Sequence, residues 1–237
     1  MPQSLEAKVV DFARELSDTV SGTLPGAPGF DAEATVRGDG YFVRPTGDDG
    51  LATRIPLHVN GQRLAEFSAQ IYLDQDSSRT YLKNVRSDFA AYSVLDKQPL
   101  FRLDYRADMH SAPAAHWQVH AERGSLTHLL AMSQAHRPRS VSAPHLLSRL
   151  HFPLGGERFR PCLEDLIQFF IEECGVDPVA GWRDVVDEGR ERWRRKQLRS
   201  AVRDLQAEAA DVLRAEGWRV SPPADPASER TNSLREW

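Results

Sequence analysis

The chain has 237 residues, 41% hydrophobic and 27% charged, which suits one large domain or a domain with a helical appendage and supplies a sizeable core. Its 30 basic and 34 acidic residues leave a net charge of −4 with histidine neutral, so no global field draws it to nucleic acid or an anionic membrane, and any such affinity must come from a local patch. The acidic, amphipathic start lacks the basic residues and apolar run of a secretory signal, and no stretch reaches the roughly 18 apolar residues of a membrane span, so a cytoplasmic location is expected.

Residues 3–21 read as a helix, because Leu5, Val9, Phe12 and Leu16 recur at helical spacing; Gly22 and the Pro/Gly-rich stretch at 25–29 end it. Residues 33–122 read as strands. Val36, Tyr41 and Val43 flank a Gly38-Asp39-Gly40 turn, and Ile55, Leu57 and Val59 lead into Asn60-Gly61. Ala65, Phe67, Ala69, Ile71 and Leu73 then alternate cleanly, so two strands are expected around the Asn-Gly turn. Residues 81–94 read as one or two further strands, with a helical alternative over 88–95. Phe101, Leu103 and Tyr105 form the next inward set, and Trp117 and Val119, with Ala115 and Ala121, another. A period of two in most of these runs points to an antiparallel sheet with one wet face.

After Gly124 the period changes. Residues 126–132 suit a short helix, 133–145 a loop and 149–152 a short strand before the Gly155-Gly156 turn. Pro161 is expected to open a covering helix whose first turn holds Glu164 and Asp165, where the dipole favours acids, with Leu163, Leu166, Ile167, Phe170 and Ile171 facing the core and Gly175 closing it. Cys162 and Cys174, twelve residues apart, would lie about 18 Å apart on one helix, beyond disulfide reach, and read as two buried thiols. Asp177-Pro178 is a second helix start, with Asp177 as cap. Helical pattern runs from there to about Ala215. Trp182, Val186, Gly189 and Trp193 keep one stripe, and Leu198, Val202, Leu205, Ala209 and Val212 keep another. The five-residue step from 193 to 198 slips the register, which implies a kink, a bend or two consecutive helices. The expectation is therefore an α+β fold: an α+β domain over 1–176, built on a largely antiparallel sheet with a covering helix, then a long C-terminal helical segment or arm over 177–216 and a disordered tail over 217–237.

Signatures of common chemistries are missing: no P-loop, GxGxxG, HExxH, CxxC or GxSxG occurs. Residues 154–160 precede a helix start that could seat an anion, but Pro161 removes one N–H donor, so a hairpin turn is favoured there. Alternation on the late strands sends Arg102, Asp104 and Arg106 to one face, with His116, Gln118, His120 and Glu122, and with Arg149 and His151 if those strands are neighbours. Histidines can serve as general acid and base and arginines can stabilise a phosphoryl group. His116, His120, His151, Arg102 and Arg106 are thus the candidate catalytic set for a small metal-independent phosphodiesterase or ribonuclease. Against it stands the simpler reading of cross-strand charge pairs on a wet face. His116 and His120 with one carboxylate could instead hold a divalent metal, the least favoured reading; no metal or cofactor is assigned.

The second feature is a basic run on the arm: Arg190, Arg192, Trp193, Arg194, Arg195, Lys196 and Arg199. It could follow a phosphate backbone. Acids at 184, 187, 188, 191 and 204 interrupt it, and Glu188–Arg192 and Glu191–Arg195 fall at i,i+4, so a solvated face or a helix-pairing seam is favoured. Trp182, Trp193 and Trp218 are expected to pack, and an exposed one would argue for a partner interface. Taken together, the sequence favours an interaction or scaffold protein whose arm binds a protein or nucleic-acid partner, or a second copy, over the phosphodiesterase.

Overall fold

The computed structural model describes residues 4–35, 40–76, 81–108, 115–119, 124–136 and 160–230. Helix α1 (Leu5–Ser21) is capped by the Ser4 hydroxyl, which accepts from Ala7 N–H at 3.2 Å, and buries Val9, Phe12, Ala13, Leu16 and Val20. Among the described residues, seven strands follow: β1 (Phe30–Ala34), β2 (Tyr41–Pro45), β3 (Ile55–Val59), β4 (Gln62–Gln75), β5 (Leu82–Ser93), β6 (Pro99–Arg106) and β7 (Ala115–Val119). Every pairing is antiparallel, in the order β1-β2-β4-β5-β6-β7. β4 is long enough to carry β5 along one edge and, end to end on the other, β2 at residues 71–73 and β3 at residues 62–67. Helices α2 (Gly124–His136), α3 (Leu163–Glu172), α4 (Trp182–Asp204) and α5 (Gln206–Ala215) complete the fold, so the α+β class read from the sequence holds.

The Asn60-Gly61 hairpin forms as expected. Both residues have positive φ, 51° and 71°, the backbone a two-residue type I′ turn demands. Ala65, Phe67, Ala69, Ile71 and Leu73 all lie at most 4% exposed on the inner face. Over them packs α3, whose Phe170 ring meets Phe67 edge-on at 5.2 Å and whose Phe169 meets Phe101 edge-on at 5.7 Å. Helices α1, α2 and α3 and residue Val186 of α4 share this one core with the sheet. Aromatic and aliphatic burial of this kind contributes about 1.5–3 kcal/mol per large side chain, and it fixes α3 as the platform on which α4 sits.

Several expectations change. Residues 82–93 are one strand with no helical alternative. Val119, expected inside, is 41% exposed, and Leu100 is buried beside Phe101 because the β5–β6 register shifts at Ala91/Tyr92. α2 runs on to His136, beyond the expected helix. Cys162 is the N-cap of α3, so Pro161 precedes the cap instead of occupying the first turn. Both cysteines are buried, at the two ends of α3. Asp177 does not cap α4, which starts at Trp182 behind Gly181. Its carboxylate instead accepts from Gly61 N–H at 2.8 Å and its N–H donates to His58 carbonyl oxygen at 2.7 Å, so it braces the β3–β4 hairpin. The Val36 and Gly38-Asp39 positions, the strand expected at 149–152, the Gly155-Gly156 turn, Trp237 and the last part of the tail lie outside the described residues. Among the described residues no helix is long and apolar enough to cross a membrane.

Candidate functional site

On the outer face of the sheet, register places Arg86 opposite Arg106, Asp88 opposite Asp104, Asp104 opposite His116, and Arg102 opposite Gln118. Arg102, Arg106 and His116 therefore share a face, as alternation implied; His120, Glu122, Arg149 and His151 lie outside the described residues. The arginines carry acid partners: Arg102 with Asp104 at 3.1 Å, Arg86 with Asp88 at 2.6 Å, and Arg106 with Asp108 at 3.9 Å. Asp104 departs from a wet-face residue. It is 6% exposed, and burial pushes its carboxyl up, with Arg102 and His116 opposing that shift and Asp88 adding to it. Among the described residues, no three His, Cys, Asp or Glu side chains are grouped as a metal site would need. What this face offers chemically is a row of ion pairs made along each strand between residues i and i+2, which offset the like charges that the register sets opposite one another.

The first half of α4, with the start of the basic run, pairs with α3 as part of the body. Arg190 Nε donates to Asp165 at 2.9 Å, its NH1 reaches Asp187 at 3.0 Å, and a further N–H donates to Gln168. The Arg190 and Asp165 side chains are only 15% and 7% exposed. The Asp165 carboxylate also accepts from Cys162 N–H at 3.0 Å and from its thiol at 3.1 Å. A buried pair stands only when its remaining donors and acceptors find partners, and here Asp187 and Gln168 accept from Arg190 while Cys162 donates to Asp165. Next to it Glu164, 6% exposed, lies against Gly189: a Cβ at position 189 would come within 2.9 Å of Glu164 Cγ. Burial pushes the Glu164 carboxyl up, opposed by a hydrogen bond with Cys162 and by the charge of Arg192, and burial likewise raises the Cys162 thiol. Both effects favour the neutral forms.

The other basic residues of the run are mostly spoken for. Arg192 lies 3.8 Å from Glu188, Arg194 3.9 Å from Asp165, Arg195 2.6 Å from Glu191, and Lys196 2.5 Å from Glu15 of α1. Trp193 packs half-buried on the core, with the Arg160 guanidinium between its ring (5.3 Å) and that of Tyr105 (4.2 Å). Arg199 alone in this set has no charged partner among the described residues. Between α1, β5, α3 and α4 lies a hollow of about 30 Å³, lined by Glu15, Asn84, Glu164, Arg192, Trp193 and Lys196 among others. That is room for about one water and an order of magnitude below the roughly 300 Å³ at which substrate pockets begin.

Beyond Lys196 the arm touches the body through Arg203, whose guanidinium lies 4.2 Å from the Tyr81 ring centroid, while its apolar side chains turn outward. Leu198 is 54% exposed, Val202 44%, Val212 56% and Leu213 40%, and α5 has no buried residue. The helix does not break at the register slip; it runs on to Asp204, and the break falls at Leu205 (φ −131°, ψ 66°). A five-residue step turns the stripe by about 140° at 100° per residue, so the slip marks where the apolar stripe turns from the body to solvent. Past α5, Trp218 is 67% exposed, against the packing role expected of it. Residues 218–230 form no regular element, yet Arg230 N–H donates to Asp204 carbonyl oxygen at 2.9 Å and Glu229 accepts from Ala207 N–H at 2.9 Å.

Acids in the first turn of α3 and a glycine inside the α4 pattern were visible in the sequence, but nothing there joined Glu164 to Gly189 or Asp165 to Arg190. Comparison with protein-family models, with curated proteins and with solved structures returned no match for this chain.

Proposed function

We propose that this protein is an interaction protein: the sheet and its helices are a scaffold, and the part of the arm beyond Lys196 docks a protein partner. The observation that carries this reading is the exposure of Leu198 and Val202 on α4, of Val212 and Leu213 on α5 and of Trp218 just past it. Contiguous exposed apolar side chains rimmed by charge mark interaction surfaces, and an exposed tryptophan is a common anchor in them. A protein partner fits better than nucleic acid, because Arg190, Arg192, Arg194, Arg195 and Lys196 already face carboxylates within 4 Å, which leaves few free cations to release counterions from phosphates. The phosphodiesterase reading has less support, because the outer-face arginines are ion-paired.

The test is a chain ending at Gln197. Cutting there keeps Arg190 on Asp165 and Val186 in the core, so the body stays folded, whereas removal of all residues from 178 would strip both away. Cross-linking in the native cell should recover partners with the full chain and lose them with the shortened one. A shortened chain that folds and retains every partner would sink the proposal.

A further inference from the structure

The distal arm is divided in charge along its length. Residues 194–203 hold Arg194, Arg195, Lys196, Arg199 and Arg203 and no acid. Residues 204–216 hold Asp204, Glu208, Asp211 and Glu216 against the single base Arg214. Each half carries its own exposed apolar pair: Leu198 and Val202 on the basic half of α4, and Val212 and Leu213 on the acidic α5. Arg194, Arg195 and Lys196 already pair with Asp165, Glu191 and Glu15, and Asp204 and Asp211 with Arg230 and Arg214. That leaves Arg199 on the basic half and Glu208 on the acidic half without a charged partner among the described residues. A surface with an exposed apolar pair and an open charge of each sign is complementary to itself when turned end for end. Within one chain the two halves do not satisfy each other, since the chain breaks at Leu205 and α5 buries nothing.

We propose that the occupant of the distal arm is a second copy of this chain, bound about a two-fold axis so that the basic half of α4 in each copy lies against α5 of the other. This rests on the docking role proposed for the arm and names its partner. In an isologous interface every contact occurs twice. One pairing therefore sets Leu198 and Val202 of one copy near Val212 and Leu213 of the other, and repeats that contact across the axis. Arg199 and Glu208, which have no charged partner within the described residues, then face each other across the interface. Charge matching of this kind selects the antiparallel arrangement and rejects the parallel one, in which basic would meet basic.

The full-length chain should sediment with a mass that rises to twice the monomer across a concentration series, and added salt should weaken the dimer. Arg199→Glu alone and Glu208→Arg alone should each weaken it at least about tenfold, roughly 1.4 kcal/mol, because each variant meets like charge twice. Mixing the two variants in equal amounts should restore dimerisation, since each reversed residue then meets its opposite on the other chain; an Arg199–Glu208 contact inside one chain could not be rescued by mixing. Both positions are on the exposed arm, and matching circular dichroism and melting of the variants verifies that the body is intact. A full-length chain that stays monomeric throughout, or single variants that dimerise as well as the parent, overturns the proposal. So does a mixture that fails to recover. If the chain is monomeric yet loses its cross-linked partners when cut after Gln197, the second copy is the wrong occupant while the docking role of the arm survives.

Discussion

The two halves of α4 are chemically alike and physically opposite. Both are rich in arginine, both carry an apolar stripe, and both are helical without interruption. In the first half, Val186 and Gly189 are buried and Arg190 is locked to Asp165; in the second, Leu198 and Val202 are exposed. The same residue types therefore stabilise the body in one place and form a surface in the other. What distinguishes them is the neighbour: α3 brings two first-turn acids, Glu164 and Asp165, under the first half, whereas the second meets the Tyr81 ring through Arg203, a contact that leaves Leu198 and Val202 exposed.

Breaking the ion pair tests the first half most severely. Arg190→Ala should cost about 3–5 kcal/mol, the usual cost of leaving a buried charge without its partner, read from denaturant midpoints. Arg190→Met combined with Asp165→Asn should recover part of that, because the amide oxygen can still accept from Cys162 N–H while no charge is left buried. A loss from Arg190→Ala within the surface range would mean that the halves do not differ.

Gly189→Ala reverses the sign expected from helix propensity. In an open helix alanine is favoured over glycine by about 1 kcal/mol, but here the new methyl collides with Glu164, and overpacking should destabilise by about 1–3 kcal/mol. A rise in the melting temperature would show that Glu164 is not seated against this helix.

Glu164 gives the contrast a pH signature. Burial raises its carboxyl in the folded state, so the folded protein holds that proton more tightly than the unfolded chain does. Its contribution is complete below about 4.3, where an unfolded-chain glutamate titrates, and is lost as pH climbs through the raised folded value. Glu164→Gln lacks this loss and should gain on the parent protein as pH rises over that window. Parallel stability profiles for the two proteins would break the assignment.

The smallest effects belong to the distal half. Leu198→Ala and Val202→Ala should leave the stability of the dilute monomer within about 0.5 kcal/mol, as for exposed positions elsewhere, while weakening self-association. A cost above about 1 kcal/mol would place these residues on the body.

Much of the scaffold could be read from residue order because its signals are local. Asn60-Gly61 prescribes its own turn, and the alternation from Ala65 to Leu73 selects one buried face whatever lies above it. The ion-pairing of Arg195 with Glu191 was legible for the same reason, being one helical turn long. Asp177 was misread because the cap it could form at a helix start competes with the hairpin N–H it reaches 116 residues away in sequence, at Gly61. The Glu164–Gly189 fit and the Asp165–Arg190 pair were illegible because each joins two helices at a distance no periodicity encodes.

The sequence by itself determined the elements: the α+β class, the antiparallel pairing around its turns, the aromatic face of α3 and the long helical end, because hydrophobic period and turn chemistry act between near neighbours. Only the tertiary structure decided what the arm is. The slip between Trp193 and Leu198 could have been a kink, a bend or a junction of two helices, and it lies inside one continuous helix whose apolar stripe turns from one side to the other. Whether such a stripe is core or surface depends on what packs against it, and that is set by the placement of α3, which long-range burial against the sheet determines.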